Sequence, residues 1–271
     1  MDCGIHFISG LPRAGSTLLA ALLRQNPKFH AGITSPVGSL FSGLIRQMSQ
    51  ENETAVFVDD VLRKSVLAGL FDNFYFREHP RQLVFDTNRL WAAKLAAIAQ
   101  LFPASRLICC VRHVPWIVDS IERLVQQNAF EPSRIFAFDS TGTIYNRYEM
   151  LAGGAGLVGY AWNALRGAFY GPHADRLMLL TYETLASEPQ RALQAVYQFI
   201  GEPYFEHDFA NVSLETANFD SRLGAPGLHA IRPLVGSVKR ESILPPELFQ
   251  RIAKDSFWLE PSAKSRGVLI V

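Results

Sequence analysis

The sequence predicts an α/β fold, a parallel sheet flanked by helices, on three observations. Short apolar runs of strand character fall at 5–9, 82–86, 106–111 and 177–182. Each is followed, directly or after a short loop, by a segment of helical periodicity, at 16–25, 91–101, 116–127 and 188–200. Alternation of this kind is the signature of βαβ units, whose crossover helices cover both faces of the sheet. The third observation is punctuation: Pro27, Pro103 and Pro203 stand just past the ends of three of these helices, where the chain can no longer continue a helix.

The first element runs IHFIS into the loop GLPRAGSTLL, residues 10–19. A glycine-rich turn entering a helix presents unpaired backbone N–H groups and the positive end of the helix dipole, which together bind phosphate and similar anions. Gly10 and Gly15 have the spacing of a nucleotide-binding P-loop, but Ser16 stands where such loops carry lysine, and Thr17 follows it. The missing lysine argues against ordinary triphosphate chemistry, and Arg13 supplies a cation from within the loop.

The second strand, LVFD, leads into TNRLW, which puts Asp86, Asn88 and Arg89 near the strand ends where open sheets of this kind bind ligands. Asp86 is expected as general base or orienter, or else as the cap of the helix that starts at Trp91 or the partner of Arg89. Arg89 is expected as a charge stabiliser, and His30 is a reserve base because histidine titrates near neutrality.

The third strand ends CVRHVPWIVDSIERL, with Arg112 where a nucleotide hydrolase would commonly place a metal-binding aspartate. Ser120 and Arg123 follow on one face of the next helix. Arginine and hydroxyl together can grip a second phosphate.

Three regions fit the alternation less well. Residues 36–80 read as largely helical and offer a surface for a homodimer. Residues 129–159 read as a cover over the site, and 205–240 as loop before a last short helix at 244–253.

Bulk properties limit the function classes. In 271 residues, 26 basic side chains face 25 acidic ones, so no global field attracts nucleic acid, and any anion site is local. Three cysteines, Cys3, Cys109 and Cys110, exclude a disulfide framework. No basic leader is evident and no window approaches the roughly 18–20 apolar residues of a transmembrane segment, which points to a reducing, cytoplasmic setting. No linker divides the chain, so residues 1–271 are expected to form one domain.

With these motifs in order, the chain resembles the sulfotransferases that use 3′-phosphoadenosine 5′-phosphosulfate, and within them the bacterial and tyrosylprotein branches. PRAGSTLL is similar to their 5′-phosphosulfate loop, which implies cofactor contacts at Arg13, Ala14, Gly15, Ser16 and Thr17. CVRHVPWIVDSIERL is similar to their 3′-phosphate motif, which implies the same for Arg112 and Ser120. The run LLTYETLASEPQRALQAVYQFIGEP resembles the segment that brings a tyrosine, here Tyr182, to the adenine. VGSVKRES occupies the region where the family closes over the nucleotide, with Ser237 and Lys239 as contacts.

The resemblance implies a P-loop-containing three-layer sandwich of sulfotransferase type and metal-independent, in-line transfer to an acceptor hydroxyl. That acceptor is a peptide tyrosine, a carbohydrate or a small molecule, selected by 36–80 and 129–159. In the tyrosylprotein branch a glutamate soon after the first helix is the base, and a lysine follows the second strand. Here Ile33 or Thr34 and Thr87 stand in those places, which leaves Asp86 and His30 as candidates for the base and Arg13 and Arg89 for charge stabilisation. A P-loop kinase or nucleotide hydrolase using Asp86 as metal ligand, and a non-catalytic nucleotide-binding protein on the same fold, are the competing readings.

Overall fold

The computed structural model describes residues 4–79, 82–136, 142–260 and 267–271. Among these, six parallel strands form one sheet in the order β2-β3-β1-β4-β5-β6. They are β1 (Ile5–Gly10), β2 (Phe29–Ala31), β3 (Leu83–Thr87), β4 (Leu107–Val111), β5 (Leu177–Thr181) and β6 (Leu269–Ile270). The four central strands are those read from the sequence. The edge strands β2 and β6 are three and two residues long, too short for any periodicity to show.

Helices on the two faces complete three layers, and the period of two along each strand decides which residues meet which layer. On one face Phe7 packs against Phe71, Trp91 and Phe102, with ring centroids 5.0 to 6.0 Å apart. These rings come from α3 (Asp60–Phe71), from α4 (Leu90–Ala93) and from the residue capping α5 (Leu95–Leu101). On the other face Phe29 packs between Phe85 and Tyr197 of α10 (Pro189–Ile200), behind α1 (Ser16–Leu23). The expected helix over 91–101 is broken at Lys94, whose backbone leaves the helical region at φ −109° and ψ 14°.

Residues 36–80 are largely helical as expected, with α2 (Val37–Gln47) preceding α3. α6 (Val114–Gln127) begins with Pro115 in its first turn, where the missing N–H costs nothing. α7 (Ile144–Ala152) is tied to it by the Arg147–Glu122 ion pair, and α8 (Leu157–Tyr170) follows. α9 (Tyr182–Ser187) continues directly from β5, and α10 ends on Gly201 at φ 79°, a left-handed cap that a side chain would strain. Between 205 and 240 the chain is loop except for α11 (Ala217–Arg222), and α12 (Pro246–Ala253) matches the expected last helix. Cys109 and Cys110 are free and fully buried in β4, where burial pushes both thiols up, Cys110 to about 12. Cys3 lies outside the described residues.

Candidate active site

The parallel strands all end on one side, so the loops that leave them converge. From the neighbouring strands β3, β1, β4 and β5 the chain delivers Arg89, Arg13, Arg112 and Tyr182 to a cavity of about 810 Å³.

The first loop is shaped by its glycines. Gly10 has φ 108°, and a Cβ there would lie 2.1 Å from the Cys110 carbonyl oxygen, so β1 can turn out of the sheet only with glycine. Gly15, at φ 95°, caps α1, and a Cβ on it would press on the Tyr182 ring at 3.0 Å. Arg13 lies between them at φ 56°, a left-handed conformation that costs a non-glycine residue about 1–2 kcal/mol. That bend lets its side chain cross the cavity: Nε donates to Ser120 Oγ on α6 at 3.0 Å.

Arg112 closes the same cluster. Its Nη1 donates to the Arg13 carbonyl at 3.4 Å, and its guanidinium lies 4.3 Å over the Tyr182 ring. Its Nε is buried and has no hydrogen-bond partner among the described residues. A buried guanidinium N–H without a partner is costly and fits an anionic ligand that would accept from it. Burial and the neighbouring Arg112 charge both lower the pKa of Arg13, while burial lowers those of Arg89 and Arg112. Arg13 and Arg112 are held together against their own repulsion, and Arg89 lines the same cavity, so in a protein whose net charge is +1 the positive charge is concentrated locally, as an anionic ligand would require.

The opposite wall is the segment 228–240, which brings Ser237, Lys239 and Arg240 to the cavity. Asp119, fully buried on α6, holds it there. Its Oδ2 pairs with Arg240 at 2.5 Å and Arg123 at 3.0 Å, and its Oδ1 accepts from the Ile243 N–H at 2.9 Å. Arg123 also donates to the Glu241 carbonyl at 2.6 Å, so it serves the loop and does not line the cavity as Ser120 does.

Arg13, Gly15, Ser16, Thr17, Arg89, Arg112, Ser120, Tyr182, Ser237 and Lys239 are therefore brought together. Ala14 is wholly buried behind them. Asp86 is not among them. It pairs in register with Phe7, and its side chain enters the helical layer on which Phe7 packs. There Ser35 and Tyr75 hydroxyls donate to Oδ2 at 2.7 and 2.6 Å, and Trp91 Nε1 donates to Oδ1 at 2.8 Å. Burial raises its pKa against the opposing effect of those three donors. His30 is likewise away from the cavity, stacked on His79 at 4.0 Å, with burial lowering its pKa to about 4.

Of residues 36–80 and 129–159, among those described, Leu157 reaches the cavity, and 228–240 supplies the cover expected of 129–159. Thr87, which stands where the tyrosylprotein branch has lysine, lines the cavity with a buried hydroxyl that has no partner among the described residues, while sequence reasoning missed the pair His229 and Asp220. Nothing in GLHAIRP marks the histidine, because its partner sits nine positions earlier in a segment without periodicity.

The chain has recognisable relatives. A family model described as the sulfotransferase family matches residues 6–206. Protein-tyrosine sulfotransferase 1 of Danio rerio is 24% identical over 211 residues, covering 75% of this chain. The chain spans about half the length of that relative, 54%. Among solved structures, the sulfotransferase domain from the curacin biosynthetic pathway superposes with a TM-score of 0.55 at 16% identity, covering 93% of this chain and 96% of that one. A sulfotransferase from Alicyclobacillus acidocaldarius gives 0.53 at 14%, covering 97% and 96%. These two likenesses establish a shared fold.

Proposed function

The chain belongs to the sulfotransferase family, and from that premise we propose that it moves the sulfuryl group of 3′-phosphoadenosine 5′-phosphosulfate to an acceptor hydroxyl. The observation that carries the reading is the Arg13 Nε to Ser120 Oγ bond, 3.0 Å long, which joins the loop for the 5′-phosphosulfate to the motif for the 3′-phosphate. In this reading the N-terminus of α1, with Ser16 and Thr17, receives the sulfated end of the donor. Arg112 and Ser120 receive the 3′-phosphate, Tyr182 flanks the adenine, and Ser237 and Lys239 close over it.

Arg13 and Arg89, both buried against the cavity, then stand where negative charge develops as the donor bond breaks. Peptide tyrosine is one acceptor class in keeping with the Danio rerio relative, and a carbohydrate or small molecule another. A reducing, cytoplasmic setting stays part of this reading, and among the described residues no helix is long and apolar enough to cross a membrane.

The kinase or hydrolase reading needs Asp86 as a metal ligand. Both its oxygens accept from Ser35, Tyr75 and Trp91 in the helical layer, which favours the sulfotransferase reading over it.

Calorimetric titration tests the proposal: 3′-phosphoadenosine 5′-phosphate without metal, beside adenosine 5′-phosphate and beside ATP with magnesium. Metal-independent preference for the bisphosphate is expected. Preference for ATP with magnesium, or indifference to the 3′-phosphate, would sink the reading.

A further inference from the structure

A carboxylate on α11, Asp220, and a histidine nine residues beyond it form a pair, and the histidine lines the cavity. Asp220 is 1% exposed, and a single residue occupies both its oxygens. The His229 backbone N–H donates to Oδ2 at 2.8 Å, and ring Nδ1 lies 2.5 Å from Oδ1. A carboxylate only accepts, so Nδ1 carries the proton and Nε2 keeps its lone pair.

The orientation of the ring is fixed from several sides. Phe219 meets it edge-on at 5.5 Å, and Ala225 donates its N–H to the Asp220 carbonyl at 3.1 Å. Ala225 and Leu228 pack on Leu124 of α6, and Asn128 Nδ2 donates to the Pro226 carbonyl at 3.3 Å. The turn between the two partners is thus stapled to the helix that carries Ser120.

His229 lines the same cavity as Arg13, Thr17 and Arg89. Burial lowers its pKa below 6.5; Asp220 opposes this, and the charges of Arg13 and Arg89 reinforce it. A neutral imidazole with a free Nε2, beside two cations, has the form required of a proton acceptor at neutral pH. Asp86 and His30 lie away from the cavity and cannot serve in that way.

We propose that His229 is the general base of the transfer and Asp220 its positioning residue, an inference that rests on the sulfotransferase reading above. Nε2 takes the proton of the acceptor hydroxyl as the acceptor oxygen bonds to sulfur. The bond between sulfur and the oxygen bridging to the 5′-phosphate breaks, and its electron pair stays on that phosphate. The proton ends on Nε2, and Asp220 faces the resulting imidazolium through Nδ1, as the buried carboxylate does in a Ser-His-Asp triad.

Two measurements test this. The first is nitrogen-15 and proton NMR of histidine-labelled protein, wild type and His229→Gln, which identifies the His229 signals and their tautomer whether or not an acceptor is known. Protonated Nδ1 and unprotonated Nε2 at pH 7.5 are expected. A protonated Nε2 overturns the proposal.

The second follows sulfur-35 from labelled donor to phenol, 4-nitrophenol or water, whichever accepts. His229→Gln is expected to slow transfer by about 10²–10⁴-fold while leaving bisphosphate affinity within about threefold. Asp220→Asn is expected to shift the acid limb of the pH–rate profile further below 6.5, because the carboxylate raises the histidine pKa. Transfer by His229→Gln within about threefold of wild type overturns the proposal. A wild type that does not bind the bisphosphate sinks the donor reading instead, and the tautomer result then stands by itself.

Discussion

Arg13 Nε and Ser120 Oγ, 107 positions apart in sequence, are joined by a 3.0 Å hydrogen bond across the mouth of α1. Ser120 thereby holds the guanidinium while its own hydrogen stays available to a ligand. Ser120→Ala is expected to weaken binding of the bisphosphate by about 1–2 kcal/mol, or roughly 5–30-fold in Kd. Calorimetric titration of the variant checks it, and an unchanged Kd would separate Ser120 from the ligand.

Arg112 offers a buried Nε with no partner among the described residues, from a guanidinium already stacked on Tyr182 at 4.3 Å. Arg112→Lys keeps the charge and loses the planar fork. The ratio of affinities for 3′-phosphoadenosine 5′-phosphate and adenosine 5′-phosphate is expected to fall at least about tenfold, with little change in the latter. Equal losses for both ligands would mean that Arg112 does not read the 3′-phosphate.

Asp86 is an anchor for three elements, accepting from Ser35, Tyr75 and Trp91. Asp86→Ala leaves three donors without an acceptor in the core, a loss of about 3 kcal/mol or more. A fall in Tm of roughly 6–12 °C is expected on that basis, with bisphosphate affinity retained in the folded protein. An unchanged Tm with abolished transfer would return the residue to the catalytic role expected of it from sequence.

Asp119 is a fully buried carboxylate bridging Arg123 and Arg240. Asp119→Asn removes the charge with which two half-buried cations pair, which costs about 1.5–3 kcal/mol. It also frees the segment 237–243. Faster tryptic cleavage after Lys239 and Arg240 is expected, and an unaltered digestion pattern would show that the loop is held by other contacts.

Stability should fall with acidification from a histidine origin. His6, 6% exposed, accepts the Arg106 N–H on Nδ1 at 3.0 Å, and burial lowers its pKa from 6.5 to about 4. The folded state therefore binds this proton less readily than the unfolded chain. The neutral form's contribution is complete above pH 6.5 and is lost as pH falls towards about 4, on the order of 3 kcal/mol in all. Urea melts between pH 7.5 and 4.5 read it. His6→Gln, whose amide oxygen can accept the same N–H, is expected to flatten the decline, and an identical slope would remove His6 as its source.

The layered α/β fold and the glycine loop that enters α1 were determined locally, and so were legible in the sequence. Glycines at 10 and 15 are needed because a Cβ at either position strikes a neighbour, and the arginine and serine eight residues apart fall on the strand end and helix that follow it. The tertiary structure decided what side chains beyond these motifs do. Asp86 follows the strand into the helical layer because its register with Phe7 assigns it that face. Lys94 breaks a helix that periodicity alone would continue. His229 meets Asp220 through a turn packed on Leu124, and Arg240 reaches Asp119 from a loop without periodicity. Contacts of that kind depend on where long connections return to the sheet, and a connection held by long-range packing leaves no repeating pattern in the sequence for a reader to find.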